Sequence, residues 1–133
     1  MRNISFSATT EQVRTRRKYV TRRGNKNGPA WKNLKPGDHL MAVEKCQGLK
    51  KGEHVKNICE IEILDVTFEP VDEIARNPLR VINPICLQPI WWSNETTMEG
   101  FPEMTPQNFV EMFCEMNGCT PITEITRILF DYV

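Results

Sequence analysis

Long apolar runs are missing from this 133-residue sequence. No stretch approaches the roughly eighteen uninterrupted apolar residues of a membrane span, so none is expected. The opening "MRNISFSATT" has neither an apolar core nor a small-residue cleavage site, which argues against a secretory signal and for a cytoplasmic protein. Histidine is scarce: His39 and His54 are the two present, far apart, and are read as surface or strand-edge residues. The five cysteines are odd in number and scattered, without CxxC spacing or a nearby histidine. Free thiols in a reducing compartment are expected, and no metal. HExxH, GxGxxG and a Ser/His/Asp pattern are all absent, and "GLKKGEHVK" lacks the spacing and the Ser or Thr of a phosphate-binding glycine loop. That loop is read as a hairpin connection, and no cofactor is expected.

What is present is ordinary in amount and uneven in distribution. The length suits a single domain over residues 1–133, with one core. Seventeen basic and seventeen acidic residues cancel, yet residues 1–36 carry ten Lys or Arg against Glu11 alone. The remainder is correspondingly acidic. A basic segment on an otherwise acidic domain suggests a localised anion site.

The hydrophobic pattern begins with a strand, since Ile4 and Phe6 alternate with polar neighbours. "TTEQ" fits a capping box with Thr9 as N-cap, opening a short helix to about Arg17 anchored by Val13. "KYVTRR" has strand composition and "GNKNGPA" turn chemistry. "LKPGDHLMAVEK" reads as a turn into a strand buried on both sides over Leu40 to Val43. In "ICEIEILDVTFEP" the apolar parity switches after Ile63 to Leu64, Val66 and Phe68, so a β-bulge is expected there. Four prolines break up residues 70–98, an irregular insertion. Within it "ICLQPIWW" is too apolar for free linker, and Trp91 and Trp92 either cover the core or offer a stacking or partner surface. "NET" at 94–96 fits a glycosylation sequon that is moot in the cytosol. The clearest helix starts at Thr105 and Pro106 and stops before Gly118. Its stripe of Phe109, Met112, Phe113 and Met116 is read as core packing. "TEITRILFDYV" closes the chain as a strand.

A regular strand over 18–23 would turn Lys18, Val20 and Arg22 to one face and Tyr19, Thr21 and Arg23 to the other. Lys18 and Thr21 converge only if the chain bends there, as at a helix-to-strand junction. At this junction the sequence resembles the ASCH domains of the PUA-like superfamily, whose signature is G-x-K-x-x-E-x-R. Lys18 and Arg23 match it, while Arg16 stands in place of the Gly and Thr21 in place of the Glu. The Lys-x-x-Thr-x-Arg variant is similar to the bacterial N(4)-acetylcytidine amidohydrolases of the same superfamily. The Gly-Asp turn at 37–38 and the late Glu99-Gly100 pair with its following helix resemble further family features.

The resemblance implies an α+β fold: a small PUA-like β-barrel of ASCH type with a short N-terminal helix and one longer C-terminal helix. It implies a basic cleft that binds RNA, a nucleotide or a modified nucleobase. In the amidohydrolases a Lys is base, the Thr nucleophile and a late Glu assists, which correspond to Lys18, Thr21 and Glu99, with Glu103 the other acid nearby. Thr activation requires a neighbouring base, and a lysine serves only if its pKa is lowered. Arg16, Arg17, Arg22 and Arg23 are expected at the substrate or RNA, with Trp31 and Trp91 as stacking planes. Binding without catalysis, amidohydrolysis of an acylated cytidine, ribonuclease action, and a protein partner at Trp91 and Trp92 are the alternatives left open.

Overall fold

The structure is a computed structural model that describes residues 1–25, 31–45, 48–82 and 91–133, the side chains of 81, 82 and 91–93 excepted. In chain order its elements are β1 (Arg2–Ser5), α1 (Thr10–Arg14), β2 (Val20–Gly24), β3 (His39–Val43), β4 (Asn57–Pro70), α2 (Glu73–Arg76), β5 (Leu79–Ile82), β6 (Trp91–Asn94), α3 (Glu95–Met98), α4 (Pro106–Asn117) and β7 (Glu124–Tyr132). Five strands make one curled sheet in the order β1-β3-β4-β7-β2, and β5 pairs with β6 as a separate hairpin. Only β1 and β3 run parallel in the larger sheet; its other neighbours are antiparallel. The result is a mixed α+β fold built on a curled, five-stranded half-barrel sheet.

Local chemistry explains most of these elements. Ile63 pairs with Phe130 and Asp65 with Leu129, so Leu64 is the extra residue of a bulge where the apolar parity changes. Past it Val66 packs against the core, whereas Phe68, expected on the same face, emerges 49% exposed near the end of the strand. In α4 the Thr105 side chain accepts from Asn108 N at 3.1 Å, Pro106 fills the first turn, and Gly118 ends the helix at φ 60°.

Helix α1 departs from the capping box. Thr9 makes no side-chain cap bond; the neighbouring Thr10 hydroxyl instead donates to Phe6 O at 2.8 Å. The helix also stops at Arg14 rather than about Arg17, because Arg16 turns left-handed at φ 60°.

Two larger apolar clusters flank the sheet, and Val20 with Leu129 forms a smaller third. Ile4, Phe6, Val13, Ile61, Ile63, Ile128 and Phe130 fill the curl, and Val71, Ile74, Phe109, Val110, Phe113 and Ile125 pack α2 and α4 onto its far end. His39 is exposed at a strand end between Glu60 and Glu62. Cys59, Cys114 and Cys119 are free thiols, while Cys46, Cys86, the "KNGPA" turn and "ICLQPI" lie outside the described residues. No helix among the described residues is long and apolar enough to cross a membrane.

Candidate functional site

The site begins where α1 ends. Arg16 N bonds Val13 O at 3.0 Å and Arg17 N bonds Gln12 O at 2.8 Å, the paired closure of a Schellman motif with Arg16 at its left-handed position. That reversal leaves Lys18 in a bend before β2 rather than inside a strand, so the alternation separating it from Thr21 does not apply. Tyr19 N then bonds Met98 O at 2.7 Å, fastening the bend to α3.

Helix α3 closes in the same way. Gly100 N bonds Thr97 O and Phe101 N bonds Thr96 O, each at 2.9 Å, with Gly100 at φ 99°. A Cβ on Gly100 would lie 2.8 Å from Gln12 Cγ and 3.6 Å from Lys18 Cβ, so this glycine lets the two motifs touch. The contact sets Glu99 against Lys18. Lys18 Nζ donates to Glu99 Oε1 at 2.7 Å and to Glu99 O at 2.6 Å, with both side chains buried. Glu103 is exposed, so the acid that reaches Lys18 is Glu99.

Burial pushes the Lys18 amine below its ordinary range; Glu99 opposes this, and Arg23 and Arg22 reinforce it. Glu99 is also shared, since its Oε2 accepts from Arg22 Nη1 at 2.9 Å. Arg22 Nη2 reaches Glu95 at 2.7 Å and Glu69 at 3.5 Å. Arg127 grips Glu95 through Nε at 2.7 Å and Nη2 at 3.0 Å, and Arg80 grips Glu69 at 2.9 and 2.7 Å. Burial alone would raise the Glu95 and Glu69 carboxyls; Arg127 and Arg22 hold the first below its ordinary value, and Arg80, Arg22 and Arg127 the second. Breaking one member of such a buried pair costs about 3–5 kcal/mol, because the abandoned charge stays out of water.

A cavity of about 310 Å³ opens beside this network. It sits at the seam where the edge strands β1 and β2 face each other, bridged by Arg23 Nη2 donating to Ser5 O at 2.7 Å. Lys18, Thr21, Arg22, Arg23 and Glu99 form its polar wall. Thr21 Oγ1 accepts from Arg23 Nε at 3.2 Å, which leaves the hydroxyl hydrogen free to be donated. The opposite wall is α4: Phe109, Met112, Phe113 and Met116 all line the cavity. The stripe expected to be core packing therefore does two jobs. Phe109 and Phe113 are buried, whereas Met112 is half-buried and Met116 is 63% exposed.

Of the sequence-derived residues, the fold brings Lys18, Thr21, Arg22, Arg23 and Glu99 to one cavity. Arg16 lies over the Tyr132 ring instead, with 5.5 Å to its centroid. Arg17 bonds Thr15 Oγ1 at 2.8 Å and borders a separate, more open pocket of about 570 Å³ with Glu103 and Asn108. Trp31 packs on the first core under Arg2, 4.0 Å from its ring, and does not line the cavity. The side chains of Trp91 and Trp92 fall outside the described residues. Among the described residues no group of His, Cys, Asp and Glu could hold a metal.

Glu69, Glu95, Arg80 and Arg127 are not legible from sequence. "NET" at 94–96 is a helix cap: Asn94 accepts from Thr96 N and Thr97 N, and Glu95 begins α3 fully buried.

No protein-family model matches the sequence, and no curated protein matches it. In fold it resembles the crystal structure of protein EF3133 from Enterococcus faecalis V583, of family DUF984. The likeness has a TM-score of 0.61 and 13% identity, and covers 96% of this chain and 68% of that one. At this identity the likeness concerns the fold alone.

Proposed function

We propose that this chain is an ASCH-type domain that binds a nucleobase-bearing ligand, such as RNA, a nucleotide or a modified nucleobase, in the seam cavity. One observation supports this reading above the others: a cavity of about 310 Å³ with cations and a hydroxyl on one wall and phenylalanine and methionine on the other. An aromatic base has apolar faces and a polar edge, so such a pair of walls suits it. The test is a titration of the protein with cytidine and with short single-stranded RNA, read at the Met112 and Met116 methyl resonances. Saturable shifts are expected, with RNA binding weakening as salt rises. Unmoved methyls with both ligands would overturn the reading.

Amidohydrolysis is a second reading, favoured by the buried Lys18 with its lowered pKa, its contact with Glu99, and Thr21 on the same wall. The neutral Lys18 amine takes the Thr21 proton as Oγ1 attacks the acetyl carbon of N(4)-acetylcytidine. The ammonium returns that proton to N4 as cytidine leaves, and water then releases acetate from the acetyl-threonine. Arg23, on the same wall as Thr21, is the cation nearest to hold the oxyanion that develops on the acetyl oxygen. Acetate release that falls about 10²–10⁴-fold in Lys18→Ala is expected on this reading. Cytidine binding with no acetate release would leave the binding function alone.

A further inference from the structure

Arg22 is the cation with the most carboxylate partners in the network, and yet its Nε is unsatisfied. It is the one buried side-chain N or O atom without a hydrogen-bond partner among the described residues. Its other two nitrogens are spent on Glu99, Glu95 and Glu69, and its guanidinium stands 5.8 Å from the Phe109 ring centroid. Arg22 and Phe109 both line the seam cavity.

The charge balance points the same way. With Lys18 protonated, Lys18, Arg22, Arg80 and Arg127 carry four positive charges against the three of Glu69, Glu95 and Glu99. A buried cluster with a surplus cation is completed by an anion. Burial lowers the pKa of Lys18, the other way of removing the surplus, but a neutral lysine leaves Arg22 Nε without a partner.

We infer that the floor of the cavity is a phosphate subsite, where a terminal phosphomonoester of a nucleotide or of an RNA end accepts from Arg22 Nε. Arg23 and the Thr21 hydroxyl stand on the same wall. A phosphomonoester supplies several acceptor oxygens and nearly two charges at neutral pH, where a carboxylate supplies one. A terminal group is favoured over an internal phosphodiester because it carries a second charge and one more free acceptor oxygen. The inference rests on the nucleobase-binding reading for what would lie along α4, but the phosphate subsite is tested separately from it.

The test follows the arginine Nε–H resonances during titration with inorganic phosphate, cytidine, cytidine 5′-monophosphate and a 5′-phosphorylated trinucleotide. Phosphate is expected to give a saturable shift of the Arg22 Nε–H. The better binder of the two phosphorylated probes, gaining about tenfold or more over cytidine, names the source of the phosphate. Arg22→Lys, which keeps the charge and removes the Nε–H, is expected to lose that gain. The wild-type resonance serves as the readout should that variant not fold. An Arg22 Nε–H unmoved by every phosphate-bearing probe overturns the inference. Cytidine moving the methionine methyls in that case leaves the nucleobase reading standing. A phosphate shift with methyls unmoved by cytidine would instead keep the subsite and sink the base.

Discussion

Arg16 and Gly100 occupy the same left-handed position at the ends of two short helices, and they meet the same backbone demand with opposite chemistry. An L side chain there costs about 1–2 kcal/mol that glycine avoids, which gives a physical reason for the Gly of the resembled signature. Arg16→Gly is therefore expected to raise stability by up to about 1 kcal/mol in urea unfolding, after the entropy glycine adds to the unfolded chain. Gly100→Ala is expected to lose about 1–3 kcal/mol, since its φ of 99° is strained and the added Cβ meets Gln12. It should also push Glu99 from Lys18. The match of Lys18, Thr21 and Arg23 to a pattern was legible because spacing is a property of sequence. Their meeting depended on the bend at Arg16, which composition did not announce.

At the scale of elements, the register of β2 on β7 sets Arg22 directly opposite Arg127. Like charges so placed repel, and Glu95, delivered by α3 from the proline-broken segment, lies between them. Glu95→Ala should therefore cost about 3–5 kcal/mol, measured by chemical denaturation, because it strands two buried guanidinium groups. A loss under 1 kcal/mol would show that water reaches them. Helix α4 was readable from its caps and period. Its second job was not, because periodicity marks an apolar face without saying whether sheet or cavity lies across it.

For the whole molecule, the network ties stability to pH. Glu95 and Glu69 titrate below their ordinary value near 4.5 in the folded state, so their contribution is full above that value and is lost as pH falls through the lower folded pKa. Lys18 is also lowered, from 10.5, but as a base it has the opposite meaning: the unfolded chain holds its proton longer, so stability rises with pH through the window below 10.5. Thermal unfolding across the pH range should show the acid loss, and Lys18→Met should remove the alkaline rise.

The sequence by itself determined the five strands of the main sheet, the bulge after Ile63, the ends of α4 and the crowding of cations before Gly24. These are local, set by side-chain period and backbone preference. Only the tertiary structure decided which acids meet those cations, that Glu99 rather than Glu103 reaches Lys18, and that the methionine stripe faces a cavity. Each of those depends on strand register and on two helix ends touching at Gly100, contacts between residues distant in the chain.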